Sequence, residues 1–157
     1  MSWTPHKIAN EFLARARRDQ RALTNMQVQK LVFIAHGFAL ALMDQPLVSQ
    51  DVHAFEFGPV FPRLYKSLRK YGSGNVTDDI PVSPEEEAPV DDDEAKIIDA
   101  VWTAYGTFSG SKLSSITHMK GTPWDQVYHQ APFTVIPDEV IRDYYAEKLH
   151  GRAETSA

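Results

Sequence analysis

Several groups of side chains in this sequence have residue types that could act in catalysis. Ser109-Gly110-Ser111-Lys112 matches the Ser-x-x-Lys pattern, in which a lysine activates a serine nucleophile. The companion Ser-Asp-Asn and Lys-Thr-Gly patterns are absent from the chain, and a match at two fixed positions arises often by chance. The favoured interpretation is therefore a serine at a helix N-cap, where its hydroxyl accepts a hydrogen bond from a backbone N–H.

The six histidines and the acidic run could in principle bind a metal ion. No histidine belongs to a His-Glu-x-x-His pattern, none lies three or four residues from another, and there is no cysteine. His36 lies on an apolar helix, seven residues after Gln29, and a hydrogen-bonded core residue is favoured there. Asp91, Asp92 and Asp93 would point in three directions on a helix, so they are interpreted as its negatively charged start. We expect no metal and no cofactor.

An enzyme would need His36, Glu56 and His118 to meet in one cleft, and their spacing does not indicate that they do. A phosphate-binding loop is also absent, because Gly72-Ser73-Gly74 is followed by acidic residues rather than by a helix that starts with a lysine. The sequence therefore predicts a protein that is not an enzyme.

The residues from Met26 to Met43 form the longest helical pattern, and they are apolar on nearly every face. Thr24 and Gln27 before them form a capping box, which predicts where the helix begins. A helix that is apolar all round lies in the middle of a domain. We therefore predict an α+β fold that is predominantly α-helical, a compact helical domain around this central helix with one small antiparallel β-hairpin.

The hairpin is predicted directly after the central helix. Leu47–Val48 and Val52–Phe57 have the composition of short strands, and the polar residues 49–51 would form the turn between them. Gly58-Pro59 is predicted to end the second strand and to begin a helix that stops at Gly72.

The remaining segments complete a single domain over residues 1–150. Further helices are predicted over Pro5–Arg18, from Asp91 onward, over Ser111–His118, from Pro123 onward and over Pro137–His150. Residues 73–90, which are rich in proline and glutamate, are predicted to be a mobile acidic loop, and residues 151–157 a disordered tail.

Composition places limits on location and partners. The chain of 157 residues has no cysteine, which suits a reducing cytoplasm. The apolar stretch from Leu31 to Met43 is interrupted by His36 and is too short to span a bilayer, so we expect a soluble cytoplasmic protein with no membrane partner.

The net charge of −5 conceals a basic segment over residues 1–36 and ten acids between Asp78 and Asp99. Nucleic-acid binding is disfavoured for an acidic chain, because phosphate contacts need clustered positive charge. A DNA-binding repressor that uses Arg15, Arg17 and Arg18 is the alternative that this basic segment leaves open.

Three blocks of the sequence, taken in order, resemble the Panacea domain, the SocA-like antitoxin family that is also known as phage-associated protein. The first two are Met26–Gly37, with its Gln-Lys-Leu, and Ala54–Phe61, with its Glu-x-Gly-Pro-Val. The third runs from Leu113 to Trp124 and contains Thr-His followed by Pro-Trp. The resemblance covers roughly residues 5–149, and the acidic loop and the tail have no part in it.

The resemblance implies that the chain is the antitoxin of a toxin–antitoxin pair and neutralises a cognate toxin protein by direct binding. SocA-like members also act as proteolytic adaptors that deliver the bound toxin to the ClpXP protease, and this is the alternative function. Members of this family associate with many unrelated toxins, so the resemblance does not name the toxin.

The resemblance and the residue chemistry together nominate nine partner-binding residues. Glu56 is expected to pair with Lys30 or to cap the following helix, and the indole N–H of Trp124 is expected to need a partner if it is buried. A structural role and a contact with the toxin remain open for these motif residues. The candidates are Lys30, His36, Glu56, Pro59, Arg63, Tyr65, Lys66, His118 and Trp124.

Overall fold

The computed structural model describes residues 2–156, with side chains described as far as Gly151. Within these residues the chain forms seven α-helices and one two-stranded antiparallel sheet, which confirms the predominantly helical α+β fold. The elements in chain order are α1 (Pro5–Arg18), α2 (Asn25–Met43), β1 (His53–Phe55), β2 (Gly58–Val60), α3 (Pro62–Leu68), α4 (Asp92–Tyr105), α5 (Gly110–His118), α6 (Pro123–Tyr128) and α7 (Asp138–Ser156).

Helix α2 is the core of the molecule, as its apolar sequence predicts. Helices α1, α4, α5 and α7 pack around it, and its side chains from Val28 to Leu40 are buried. By length and composition this helix could cross a membrane, but most of it is buried inside the domain.

Helix α7 packs closely against α2 at Gly37. A Cβ atom added to Gly37 would lie 2.3 Å from the ring of Tyr145, so only glycine lets this buried ring lie against the backbone of α2.

Helix starts follow the local signals in the sequence. Thr24 and Gln27 form a complete capping box at α2, and Asp91 and Glu94 form a second one at α4. Side-chain oxygens also accept from backbone N–H groups at three more helix starts. These caps are Thr4, Ser109 and Thr122. Ser109 is thus a capping residue, in agreement with the interpretation of its Ser-x-x-Lys pattern.

The predicted pairing of the hairpin is wrong. β1 pairs with β2 through a turn at Glu56-Phe57, and Val48 instead forms an isolated parallel bridge with Trp3. Gly58 has a φ of 120°, a conformation that glycine adopts without strain, and this allows the chain to reverse there.

Gly58-Pro59 therefore belongs to a strand and does not begin a helix. Pro59 lies opposite Ala54 in the hairpin, and the N–H of Ala54 donates to the carbonyl of Thr134 on the other side of β1. The Pro59–Ala54 pair therefore makes no hydrogen bonds between the two strands, and the missing N–H of proline costs nothing here. Helix α3 begins at Pro62 instead, and Val60 lies in β2.

The acidic segment 73–90 lies beside α1. Asn10 donates to the carbonyl of Ile80 and accepts from its N–H, and Ile80 is buried. Asp79 forms an ion pair with Arg17 at 2.9 Å. The segment includes a 3-10 turn at Pro84–Glu87, and its mobility remains a prediction.

Helix α7 extends further than its predicted end at His150. It continues to Ser156, through most of the segment predicted to be a disordered tail. The side chains after Gly151 and all of residue 157 lie outside the described residues.

Candidate partner-binding groove

An open groove lies between the start of α2 and the β1–β2 hairpin. It has a volume of about 650 Å³, and we call it the hairpin groove. α2 forms its floor, and the hairpin turn, α3 and the segment before α7 form its sides. The residues that define it are Asn25, Met26, Lys30, Phe57, Tyr65 and Phe133.

Two buried polar side chains of α2 fix the position of the hairpin. The Gln29 amide donates to the carbonyl of Phe61 and accepts from its N–H, while Lys30 Nζ donates to the carbonyl of Pro59 at 2.9 Å. Buried polar groups are costly unless they form hydrogen bonds. The pairing therefore explains why two polar residues occur on an otherwise apolar helix, and it ties β2 and the start of α3 to the core.

Lys30 is a buried basic side chain without a counter-ion. It is 3% exposed, and no carboxylate among the described residues forms an ion pair with it. Burial lowers the pKa of its ammonium group from 10.5 to about 7, because water is removed from the charged form.

Asn25 contributes a second polar group to the groove. The residue is 6% exposed, and its Oδ1 atom is buried with no hydrogen-bond partner among the described residues. The groove therefore contains a desolvated donor at Lys30 and an unsatisfied acceptor at Asn25.

Large apolar side chains surround these polar groups and remain exposed. Phe57 is 67% exposed and Phe133 58%, and Tyr65 and Met26 are almost half exposed. Single exposed apolar residues are ordinary, but a contiguous group of them marks an interaction surface.

Phe133 is exposed at a backbone conformation that side chains rarely adopt. Its φ is 66°, and its N–H donates to the carbonyl of Ala54 at 2.8 Å. Its ring lies 5.7 Å from that of Phe55, measured between centroids. For a bulky residue a positive φ costs on the order of 1 kcal/mol, and such strain occurs often at functional sites.

The structure brings three of the nine nominated residues into the groove and places a fourth beneath it. Lys30, Glu56 and Tyr65 line the groove, and Pro59 supplies the carbonyl that Lys30 binds. Glu56 plays neither of its two expected roles. It forms no ion pair with Lys30, and α3 begins without a side-chain cap.

His118 and Trp124 lie against each other and support the hairpin. Their rings are 5.3 Å apart, and Trp124 stacks on Tyr128 at 4.6 Å. The indole N–H of Trp124 donates to the carbonyl of Phe55, which is the partner that its burial requires.

His36 is a buried, hydrogen-bonded residue of the core. Its Nδ1 accepts from the N–H of Val48 at 3.2 Å, so the proton of the neutral ring lies on Nε2, which is 3.1 Å from a carboxylate oxygen of Asp138. His36 and His118 do not line the hairpin groove with Glu56. The three residues of the enzymatic alternative therefore do not share this cleft.

Arg63 and Lys66 lie on the exposed face of α3. They border a separate, polar cavity of about 490 Å³ beside His6, whose pKa is lowered chiefly by burial. Within the described residues, no group of three or more histidine, aspartate or glutamate side chains is placed to hold a metal ion.

The three arginines of α1 are paired with acids. Arg15 bonds Asp99 at 2.7 Å, and Arg18 bonds its neighbour Asp19. These pairs, with that of Arg17, reduce the positive potential that binding to phosphates would need.

Sequence reasoning missed Asn25, Met26, Phe57 and Phe133 as groove residues. Phe57 was assigned to a strand rather than to the exposed hairpin turn, and Phe133 reaches the groove only through long-range pairing with β1. Asn25 directly follows the cap residue Thr24, and nothing in the sequence around it indicates that its side-chain oxygen lacks a hydrogen-bond partner.

Comparisons with known proteins agree on one family. The family model described as "Antitoxin SocA-like, Panacea domain" matches residues 28–125. Antitoxin SocA of Caulobacter vibrioides (strain NA1000 / CB15N) is 30% identical over 154 residues, which cover 88% of this chain and 80% of that antitoxin. No solved structure matches the chain. The chain thus belongs to the SocA-like antitoxin family with a Panacea domain.

Proposed function

We propose that this protein is an antitoxin that neutralises a cognate protein toxin by direct, non-enzymatic binding in the hairpin groove. Family membership supports the antitoxin role. The single observation that carries the choice of surface is the group of exposed apolar side chains around a buried lysine. Hot spots of protein interfaces combine aromatic anchors with desolvated polar contacts, and both are available here. We expect the protein to act in the cytoplasm, which suits a chain without cysteine.

Co-expression tests this proposal. The protein encoded beside this chain should arrest growth when it is expressed alone, and this chain should restore growth and co-purify with it. Phe57→Asp should abolish both effects, because it places a charge on an exposed apolar surface without touching the core. Met119→Asp is the matched control, since Met119 is 54% exposed and lies outside the hairpin groove. Failure of the wild-type chain to rescue growth would contradict the antitoxin role, and rescue by Phe57→Asp would contradict the choice of surface.

The alternative is an adaptor that presents the bound toxin to the ClpXP protease. The observation that favours it is the row of exposed acids on the segment beside α1, which offers a second contact surface away from the groove. These exposed acids include Asp78, Glu85 and Glu87. Replacing the three by serine spares the buried anchors Val76 and Ile80 and should lengthen the half-life of the toxin without weakening its binding. An unchanged half-life in this variant and in a chain truncated after His150 would leave direct neutralisation as the mechanism.

A further inference from the structure

The side chain of Lys30 has no negatively charged partner among the described residues of the hairpin groove. Its ammonium group has three N–H donors, and Pro59 accepts one of them. An ammonium group held away from water is costly unless an anion or further acceptors compensate it. Within the described residues no carboxylate does so, and Lys30 is part of the groove lining. A carboxylate that entered from outside would pair with this cation.

Asn25 adds a requirement for a donor. Its Oδ1 atom is buried in the same lining and has no partner among the described residues. An extended peptide offers backbone N–H groups at regular intervals, in addition to its side chains. A peptide segment that reaches Lys30 would also place backbone N–H groups beside Asn25, whereas an isolated anion would offer no donor there.

The walls restrict the kind of anion. Lys30 is the one cationic side chain among the lining residues, and the exposed rim is apolar or aromatic, whereas phosphate recognition needs several clustered cations. Glu56, on the hairpin turn, would repel an acid at that end of the groove. The matching acid must therefore lie over the floor, with apolar side chains on either side of it.

We propose that the hairpin groove receives an extended segment of the partner protein in which an aspartate or glutamate reaches Lys30 and the flanking aromatic or aliphatic side chains pack on the exposed rim. This proposal rests on the proposed function, since the partner is taken to be the toxin. The rim contacts would be made with Met26, Phe57, Tyr65 and Phe133.

A library of random 12-residue peptides displayed on phage, selected on the full-length chain, tests the proposal without knowledge of the toxin. The selected peptides should share one acidic residue flanked by apolar residues. Synthetic copies with Asn for Asp, or Gln for Glu, should bind roughly tenfold more weakly or worse, because a charge-assisted hydrogen bond is lost. This comparison leaves the protein unchanged, so it holds even if variants at Lys30 fold poorly.

Variants of the chain provide the second arm. Lys30→Met should lower the affinity for the acidic peptides and make it equal to that for the amide copies. Phe133→Ser should lower the affinity for both kinds of peptide. Lys96→Met is the matched control, since Lys96 is an exposed lysine on α4 outside the groove, and it should leave binding unchanged. The proposal would be overturned if acidic and amide peptides bound equally well, or if the selected peptides shared no acidic residue. It would also be overturned if Phe133→Ser weakened the binding of none of the selected peptides. A dimer that Phe57→Asp dissociates would also overturn it, since a second copy would then occupy the groove.

The outcomes separate this inference from the antitoxin role. If co-expression rescues growth but the peptides show no need for an acid, the inference fails and the antitoxin role stands. If the acidic peptides bind as expected but no rescue occurs, the chemistry of the groove stands and the partner is not a toxin.

Discussion

At the scale of single residues, Lys30 links the groove to the stability of the fold. Its ordinary pKa of 10.5 applies when the chain is unfolded, and burial lowers the pKa to about 7 in the folded protein. Between these two values the unfolded chain holds more protons, so the contribution of Lys30 makes the free energy of unfolding increase as the pH rises. The destabilisation is complete below pH 7 and disappears above the unfolded pKa.

Lys30→Met removes this titration and leaves the Pro59 carbonyl without its donor at every pH, so the free energy of unfolding of the wild type should rise relative to that of the variant as the pH increases. The change across the window is at most roughly 5 kcal/mol, given about 1.4 kcal/mol per pKa unit. Urea denaturation of both proteins between about pH 7 and pH 10 measures it. Lys66→Met, at an exposed position, should show no such trend. A stability difference that stays constant with pH would mean that Lys30 is not desolvated.

At the scale of elements, the packing of α7 on α2 depends on Gly37. A methyl group there would overlap the buried ring of Tyr145. Overpacking of this kind costs typically 1–3 kcal/mol, and the better helix propensity of alanine offsets up to about 1 kcal/mol of that.

Gly37→Ala should accordingly destabilise the protein by roughly 1–2 kcal/mol, measured by thermal or urea unfolding. Gly151→Ala is the matched control, because Gly151 is also a helical glycine and an added Cβ there would meet nothing within 4 Å. It should be neutral or slightly stabilising. Equal effects of the two substitutions would show that helix propensity, rather than contact with Tyr145, decides the outcome.

The elements also show which parts of the fold a sequence can predict. The starts of α1, α2 and α4 were predictable because Thr4, Thr24 and Asp91 act on neighbouring backbone groups. One small hairpin was predicted as well, but its position was not, because that position depends on bonds from Gln29 and Lys30, more than twenty residues earlier. The groove was predicted only at Lys30, Glu56 and Tyr65, since its other walls are brought in by tertiary pairing.

At the scale of the whole molecule, positive charge that is not paired is concentrated on α3 and the turn that follows it. Arg63, Lys66, Arg69 and Lys70 are exposed, and none forms an ion pair among the described residues, in contrast to the paired arginines of α1. This face adjoins Tyr65 on the rim of the hairpin groove. A field of one sign beside a binding surface accelerates association with a partner of opposite charge.

Replacing these four basic residues by glutamine should slow association with an acidic partner by roughly tenfold at low salt and change the dissociation rate little. Stopped-flow or surface-binding kinetics at two ionic strengths would measure both rates. The control replaces Arg17 and Arg18, which are already paired with acids, by glutamine. It should alter the association rate less. An on-rate that is independent of the four charges at low salt would exclude steering by this face.

The bond between His53 and the carbonyl of Phe133 joins residues eighty positions apart. The entropy lost when such a loop closes grows with the logarithm of its length, so this contact forms only after favourable packing elsewhere has repaid that loss. Helices α1 and α2, with their local caps, do not depend on it. The rim at Phe133 therefore completes late in folding, and a chain that is still being synthesised or is partly unfolded presents no finished groove. Only a completely folded chain can therefore bind a partner in this groove.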